Sequence, residues 1–192
     1  MLRLAVIGST NGTDLVPIVE AIGSGGLSAT VEVVLSNNET SGILKKARGY
    51  GIENHFICHK NKKRDVFDFE MSQILEDKKI DLILLIGFMR ILSSEFVDRW
   101  FGKIVNVHPS LLPKYAGGMN SDVHKSVLDA GDKETGCTIH LVTKEVDGGP
   151  ILLQKSCPVF ENDSIDSLKE RVQKLEGEAF IEIINNWSNN EY

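Results

Sequence analysis

Apolar positions along the chain switch between two periods. Leu2–Ile7 is a short run of branched residues and reads as a strand. Thr30–Leu35, His55–Cys58, Asp81–Ile86, Ile104–His108, Gly136–Val142 and Ile151–Val159 read the same way. Between them, Leu15–Ile22, Ile43–Tyr50, Arg64–Asp77, Ser93–Trp100 and Asp122–Ala130 read as helices, and Ser164–Trp187 as a long terminal one. The helix after Leu92 has Ser93 or Ser94 as its cap and Glu95 in its first turn. The run LILLI within Asp81–Ile86 is apolar without alternation, which suits a strand buried on both faces.

Strands alternating with helices predict an α/β fold: a doubly wound, mainly parallel, seven-stranded, Rossmann-like sheet with helices on both faces. The last two strands are joined by KEVDGG, too short for a crossover helix. One of them is therefore expected to run antiparallel or at an angle. No repeat, low-complexity stretch or linker divides the chain, so one domain over residues 1–192 is expected.

Composition narrows the function. Hydrophobic residues make up 42% and charged residues 25%, which is globular. A net charge of −6 argues against non-specific binding of nucleic acid or an anionic membrane. No apolar run approaches the ~20 residues of a membrane-spanning helix, and a strand-like start at Leu2 suits neither a signal nor a transit peptide. Cys58, Cys137 and Cys157 cannot all pair, and none lies in a CxxC, which fits a cytoplasmic protein with free thiols.

In a doubly wound sheet, ligands bind beyond the carboxyl ends of the strands. Four segments fall there: GSTNGTD, GFMRIL, NVHPSLLP and EVDGGP. Asn106 and His108 are two apart on a predicted strand and share a face, so an amide and an imidazole can donate to one developing oxyanion. Asp147 lies in a loop with Gly148, Gly149 and Pro150; folded over the crevice, its carboxylate would pair with His108 and raise its pKa. Core or turn chemistry is the plainer reading of a lone Asn-x-His, and both stay open on spacing alone. GSTNGTD suits either a phosphate loop at a helix N-terminus or a tight strand-to-helix turn. Cys137 and His140 face opposite sides of their strand and form no pair. His55, Cys58 and His59 lack companions at metal spacing, so no metal is expected. Ser110 is in no GxSxG elbow, His124 is expected to be exposed, and Lys60, Lys62, Lys63 and Arg64 make a solvated basic face.

GFMRILS, NVHPSLLPKY and EVDGGPILLQ together resemble the glycinamide ribonucleotide formyltransferases, a folate-dependent family of purine biosynthesis; the likeness runs from Leu2 to Trp187. The resemblance implies that a formyl group passes from 10-formyltetrahydrofolate, the co-substrate, to the amine of glycinamide ribonucleotide. It implies no metal and no covalent enzyme intermediate, and it leaves a homodimer open. Carried over, Asn106, His108 and Asp147 match the catalytic trio. Arg64, Met89, Arg90, Ile91, Leu92 and Val146 match the folate side, with Asn106 and Asp147. Asn11, Gly12, Thr13 and Asp14 match the loop that holds the ribonucleotide phosphate, and Glu176 a carboxylate that contacts its ribose. A cis bond before Pro113 is implied as well.

The chain departs from the family pattern at Thr13-Asp14, where Ser-Asn is common, and in a longer loop from Ala116 to His124. Asp14 is expected to turn back onto the helix N-terminus, leaving the loop amides for the phosphate, with Lys114 as a nearby offsetting cation. Rival readings are another folate-dependent formyltransferase or a deformylase, relatives that carry further domains expected to be absent here. From a different class, a non-catalytic phosphate- or nucleotide-binding module is the alternative.

Overall fold

The computed structural model describes residues 1–118 and 120–189, without the side chains of 120–122; Met119 and part of the long 116–124 loop therefore lie outside the described residues. The strands are β1 (Leu2–Ile7), β2 (Ala29–Ser36), β3 (Asn54–Phe56), β4 (Leu82–Leu85), β5 (Ile104–His108), β6 (Glu134–Leu141) and β7 (Ile151–Pro158). They form one sheet in the order β3-β2-β1-β4-β5-β6-β7. β1 to β5 pair in parallel; β6 is antiparallel to both β5 and β7, as the short KEVDGG link requires.

The helices are α1 (Leu15–Gly23), α2 (Gly42–Gly49), α3 (Arg64–Asp77), α4 (Ser94–Arg99), α5 (Asn120–Asp129) and α6 (Ile165–Ser188). Each strand feeds side chains alternately to two cores. Leu4, Val6, Leu82 and Leu84 pack under α1, α2 and α6; Ala5, Ile7, Ile83 and Leu85 pack under α3 and α4. That double burial is why LILLI shows no polar alternation. Ser93 is the cap of α4, accepting from the Phe96 N–H at 3.2 Å.

Strand order reverses between β1 and β4, which opens the crevice of a doubly wound sheet at their carboxyl ends. The two loops there are tied together. Ser9 N–H donates to the Gly87 carbonyl at 3.0 Å, and the Met89 N–H donates to Ser9 Oγ at 2.9 Å. Gly87 has φ +58°, and a Cβ there would lie 2.3 Å from Thr10 Oγ1, so a glycine is required. The Leu112–Pro113 bond is cis, as the resemblance implies.

Three expectations are corrected. His124 is buried, not exposed, because α5 packs against α6; burial pushes its pKa down to about 4. Lys114 pairs with Asp132 at 3.1 Å, and the cation at the β1 loop is Lys46, whose Nζ donates to the Asn11 carbonyl and Oδ1 at 2.9 Å. Asp14 makes no side-chain capping bond. Its backbone is already helical (φ −73°, ψ −15°), whereas a capping residue is extended, so its side chain does not fold back over the helix end.

Asp14 is instead only 4% exposed, and its Oδ1 has no hydrogen-bond partner among the described residues. α6 covers it: a Cβ on Gly177 would come 2.7 Å from Pro17 Cγ, so the two helices nearly touch. Burial pushes the Asp14 carboxyl up from 3.8 to about 7. The Glu176 carboxyl on α6 is also raised, by burial first and then by the charge of Asp14. Between these limits the folded state binds more protons than the unfolded chain, so this pair's contribution to stability falls as pH rises from about 4 to 7. We predict that Asp14→Asn, a neutral isostere, gains Tm relative to the parent as pH is raised from 5 to 8. Thermal unfolding across that range checks this; a difference independent of pH contradicts it.

Candidate active site

β5 ends in the crevice and carries Asn106 and His108 on the face of Ile104, two residues apart as the strand period requires. The antiparallel pairing with β6 sets His140 directly opposite Asn106. Asn106 Nδ2 donates to His140 Nε2 at 3.2 Å, while His140 Nδ1 donates to the Leu141 carbonyl at 2.9 Å. The second N–H of the Asn106 amide is left for the crevice. Weighed only against Cys137 on its own strand, His140 gives no sign of a role in the sequence. The signal that finds it is register: on an antiparallel neighbour it faces Asn106, while Cys137 lies in the opposite core.

Asp147 comes from the β6–β7 connection. That loop turns back sharply: a Cβ on Gly149 would lie 1.8 Å from the Leu141 carbonyl oxygen, so only glycine fits. Asp147 has φ +53°, uncommon for a residue with a side chain. Its Oδ2 lies 3.3 Å from His108 Nδ1 and accepts from the Gly117 N–H at 2.8 Å; its Oδ1 lies 3.5 Å from His140 Nε2. Asn106, His108 and Asp147 are thus brought together, with His140 as a fourth member.

His108 is gripped on its other side too: Nε2 donates to the Tyr115 carbonyl at 2.9 Å. A carbonyl only accepts, so Nε2 keeps its proton and Nδ1 is the nitrogen that faces Asp147. Burial lowers the His108 pKa below its ordinary value; the Asp147 charge and the Tyr115 carbonyl pull it upward without overcoming burial. The expected rise is thus present as one influence but not as the net result. Burial acts to raise Asp147, yet the Gly117 N–H and the His108 charge help to hold it below the usual carboxylate range.

The crevice continues from His108 along the 87–92 segment. One chamber of about 210 Å³ is lined by Met89, Arg90, Ile91, Asn106, His108, Val146 and Asp147. A second, of about 130 Å³, adds Leu85, Leu92, Val97, His140 and Val142. Met89, Ile91 and Val146 are large apolar side chains exposed at its rim, and the Arg90 Nε is buried without a hydrogen-bond partner among the described residues. Apolar walls with an unpaired donor suit a flat ligand with a polar edge. Arg64, at the start of α3, is outside this lining; its charge, like that of Arg90, reaches Asp68.

At the other end, Asn11 and Thr13 are exposed and Gly12 and Asp14 buried. Among the described residues nothing accepts from the N–H groups of Gly12, Thr13 or Asp14, and Lys46 adds a positive charge beside them. That is the arrangement an anion needs at a helix start. Glu176 lies within electrostatic reach of Asp14, so the structure brings it to the same end. No group of His, Cys, Asp and Glu among the described residues forms a metal cluster.

A family model described as formyl transferase matches residues 2–184. The phosphoribosylglycinamide formyltransferase of Escherichia coli is 38% identical over 187 residues, 97% of this chain and 86% of that protein. The trifunctional purine biosynthetic protein adenosine-3 of Bos taurus is 41% identical over 179 residues, 93% of this chain; the chain spans only 17% of that longer relative. Glycinamide ribonucleotide transformylase 1 from Symbiobacterium toebii superposes with a TM-score of 0.94 at 32% identity, covering 99% of this chain and 89% of that one. With a family model spanning the sheet, the trio and most of α6, the chain belongs to the formyl transferase family.

Proposed function

We propose that the protein transfers the formyl group of 10-formyltetrahydrofolate to the amine of glycinamide ribonucleotide, a step of purine biosynthesis. The observation that carries this reading is the close grouping of Asn106, His108 and Asp147 at the crevice, with Nδ1 of His108 and one Asn106 N–H unspent on backbone partners. Membership of the family and the likeness to phosphoribosylglycinamide formyltransferase over nearly the whole chain support it.

In this reading the folate lies along Met89, Arg90, Ile91, Leu92 and Val146, with Arg64 beyond the crevice lining. The ribonucleotide phosphate lies against Asn11, Gly12, Thr13 and Asp14, and its ribose near Glu176. The amine nitrogen attacks the formyl carbon, a C–N bond forms, and the carbonyl oxygen becomes an oxyanion. In the imidazolium form of His108, which takes its Nδ1 proton from solvent, Nδ1–H donates to it together with the free Asn106 N–H. Asp147 stabilises the imidazolium while that charge exists. The bond from the formyl carbon to the folate N10 then breaks, and the proton lost by the amine is passed to N10, with Asp147 close enough to relay it. Every residue given a role lies on one chain. Cys58, Cys137 and Cys157 are free thiols, and no helix among the described residues is long and apolar enough to cross a membrane, which supports a cytoplasmic setting.

The direct test is incubation with glycinamide ribonucleotide and a 10-formyl folate. Formylated ribonucleotide is the expected product; release of formate without amine transfer would point to a deformylase, and no turnover to a binding module. We predict that His108→Ala lowers kcat at least ~100-fold with folate affinity little changed, the usual loss of one oxyanion donor. Near-parental turnover would refute the assignment. Asp147→Asn should be similarly damaging. It should also lower the His108 midpoint in an NMR titration, because the carboxylate favours the charged imidazole. Identical midpoints would show that the two side chains do not interact.

A further inference from the structure

The bond that holds His108 from behind comes from a turn whose own anchor lies outside the crevice. Tyr115, whose carbonyl accepts from His108 Nε2, has φ +61°. A bulky residue stays in that left-handed conformation only where its surroundings impose it. Two attachments do so. Ser110 Oγ donates to the Lys114 carbonyl at 2.5 Å, and Ser110 is in turn fixed by Thr138, whose Oγ1 donates to the Ser110 carbonyl at 2.6 Å. On the other side, Tyr115 Oη donates to Asp132 Oδ2 at 2.9 Å. Asp132 follows α5 and also takes Lys114 Nζ at 3.1 Å on both oxygens.

We propose that Asp132 is a positioning residue for the reaction: through the Tyr115 hydroxyl it holds the Tyr115 carbonyl against His108 Nε2, and so keeps Nδ1 as the nitrogen that faces the crevice. The inference rests on the assignment of His108 to formyl transfer, but its structural half stands without it. Three observations converge. Asp132 is largely covered, with its side chain 18% exposed, while its lysine partner is 64% exposed. The tyrosine arm is therefore the ordered one, since an exposed ion pair contributes little. The same residue, Tyr115, carries both the hydroxyl that meets Asp132 and the carbonyl that meets His108, so no intermediate side chain is needed to pass on a displacement. Finally, the clasp faces a solvent cleft lined by Leu111, Lys114, Lys133 and Glu134, not a core, so loss of one hydroxyl there leaves the fold intact.

The groups that act on His108 from the elements around it are Asp147, the Tyr115 carbonyl and His140. Asp147 and the Tyr115 carbonyl favour the charged ring; His140 and burial oppose it. Loosening the clasp removes one of the two supports and lowers the His108 midpoint.

The test uses the full chain with Tyr115→Phe, which deletes only the hydroxyl, and Asp132→Asn. For each, the His108 ring is titrated by NMR, and kcat and both KM values are measured. The expected result is a lower His108 midpoint in both variants, with kcat down about three- to ten-fold, as for partial loss of a charge-assisted hydrogen bond, and each KM within about twofold. A His108 titration identical to the parent's in both variants overturns the proposal, even if Tm falls, because a purely structural role moves Tm alone. If the parent does not transfer formyl groups, the functional assignment fails, while the titration still decides whether Asp132 positions His108.

Discussion

The geometry of the site depends on one ring held from two sides. The Tyr115 carbonyl takes Nε2 of His108, and Asp147 stands at Nδ1. Either contact alone leaves an imidazole free to rotate or to change tautomer; together they fix the plane and assign the working nitrogen. Both partners sit in left-handed backbone, Tyr115 at φ +61° and Asp147 at φ +53°. Such conformations persist at functional sites where the surroundings enforce them. Here the enforcement comes from the neighbours: Ser110 and Asp132 hold the Tyr115 turn on one side, and Gly149 folds against the Leu141 carbonyl on the other. The same carboxylate also accepts from Gly117, so the two loops that supply the partners are tied to each other.

The sheet explains why these loops meet. Reversal of strand order between β1 and β4 opens the crevice; β6 runs antiparallel and ends opposite Val105, and the loop that follows it folds back far enough for Asp147 to reach His108. The crevice is then electrostatically divided. Its inner end holds the His108–Asp147 pair and an unpaired Arg90 Nε under apolar walls. Its outer end sets free backbone donors and Lys46 beside two buried carboxyls, Asp14 and Glu176. Burial raises both carboxyls, and the charge of Asp14 adds to the rise at Glu176.

The parallel sheet, the order of its elements and the antiparallel end were legible in the sequence because they follow from local period and link length. Asn106 and His108 were legible as neighbours for the same reason, and Asp147 as a candidate from its glycine-rich loop. The resemblance to a folate family supplied the roles. His140 was not legible, because its importance arises from register with a strand more than thirty residues away. Charge alone suggests that Asp14 caps its helix; what decides its orientation is a helical backbone and the cover of α6, which arrives at the end of the chain. Nothing in the local pattern separates Lys114, which pairs with Asp132, from Lys46, which reaches the β1 loop from α2. In each case the missing information is a long-range contact.

In the proposed mechanism Nε2 of His108 stays protonated and Nδ1 is the nitrogen that gains and loses a proton. The most direct measurement is the ¹⁵N chemical shift of both ring nitrogens of His108 in the free protein, followed through its titration. Nε2 is expected to keep a protonated shift throughout, while only Nδ1 changes. A neutral ring with its proton on Nδ1 would contradict it.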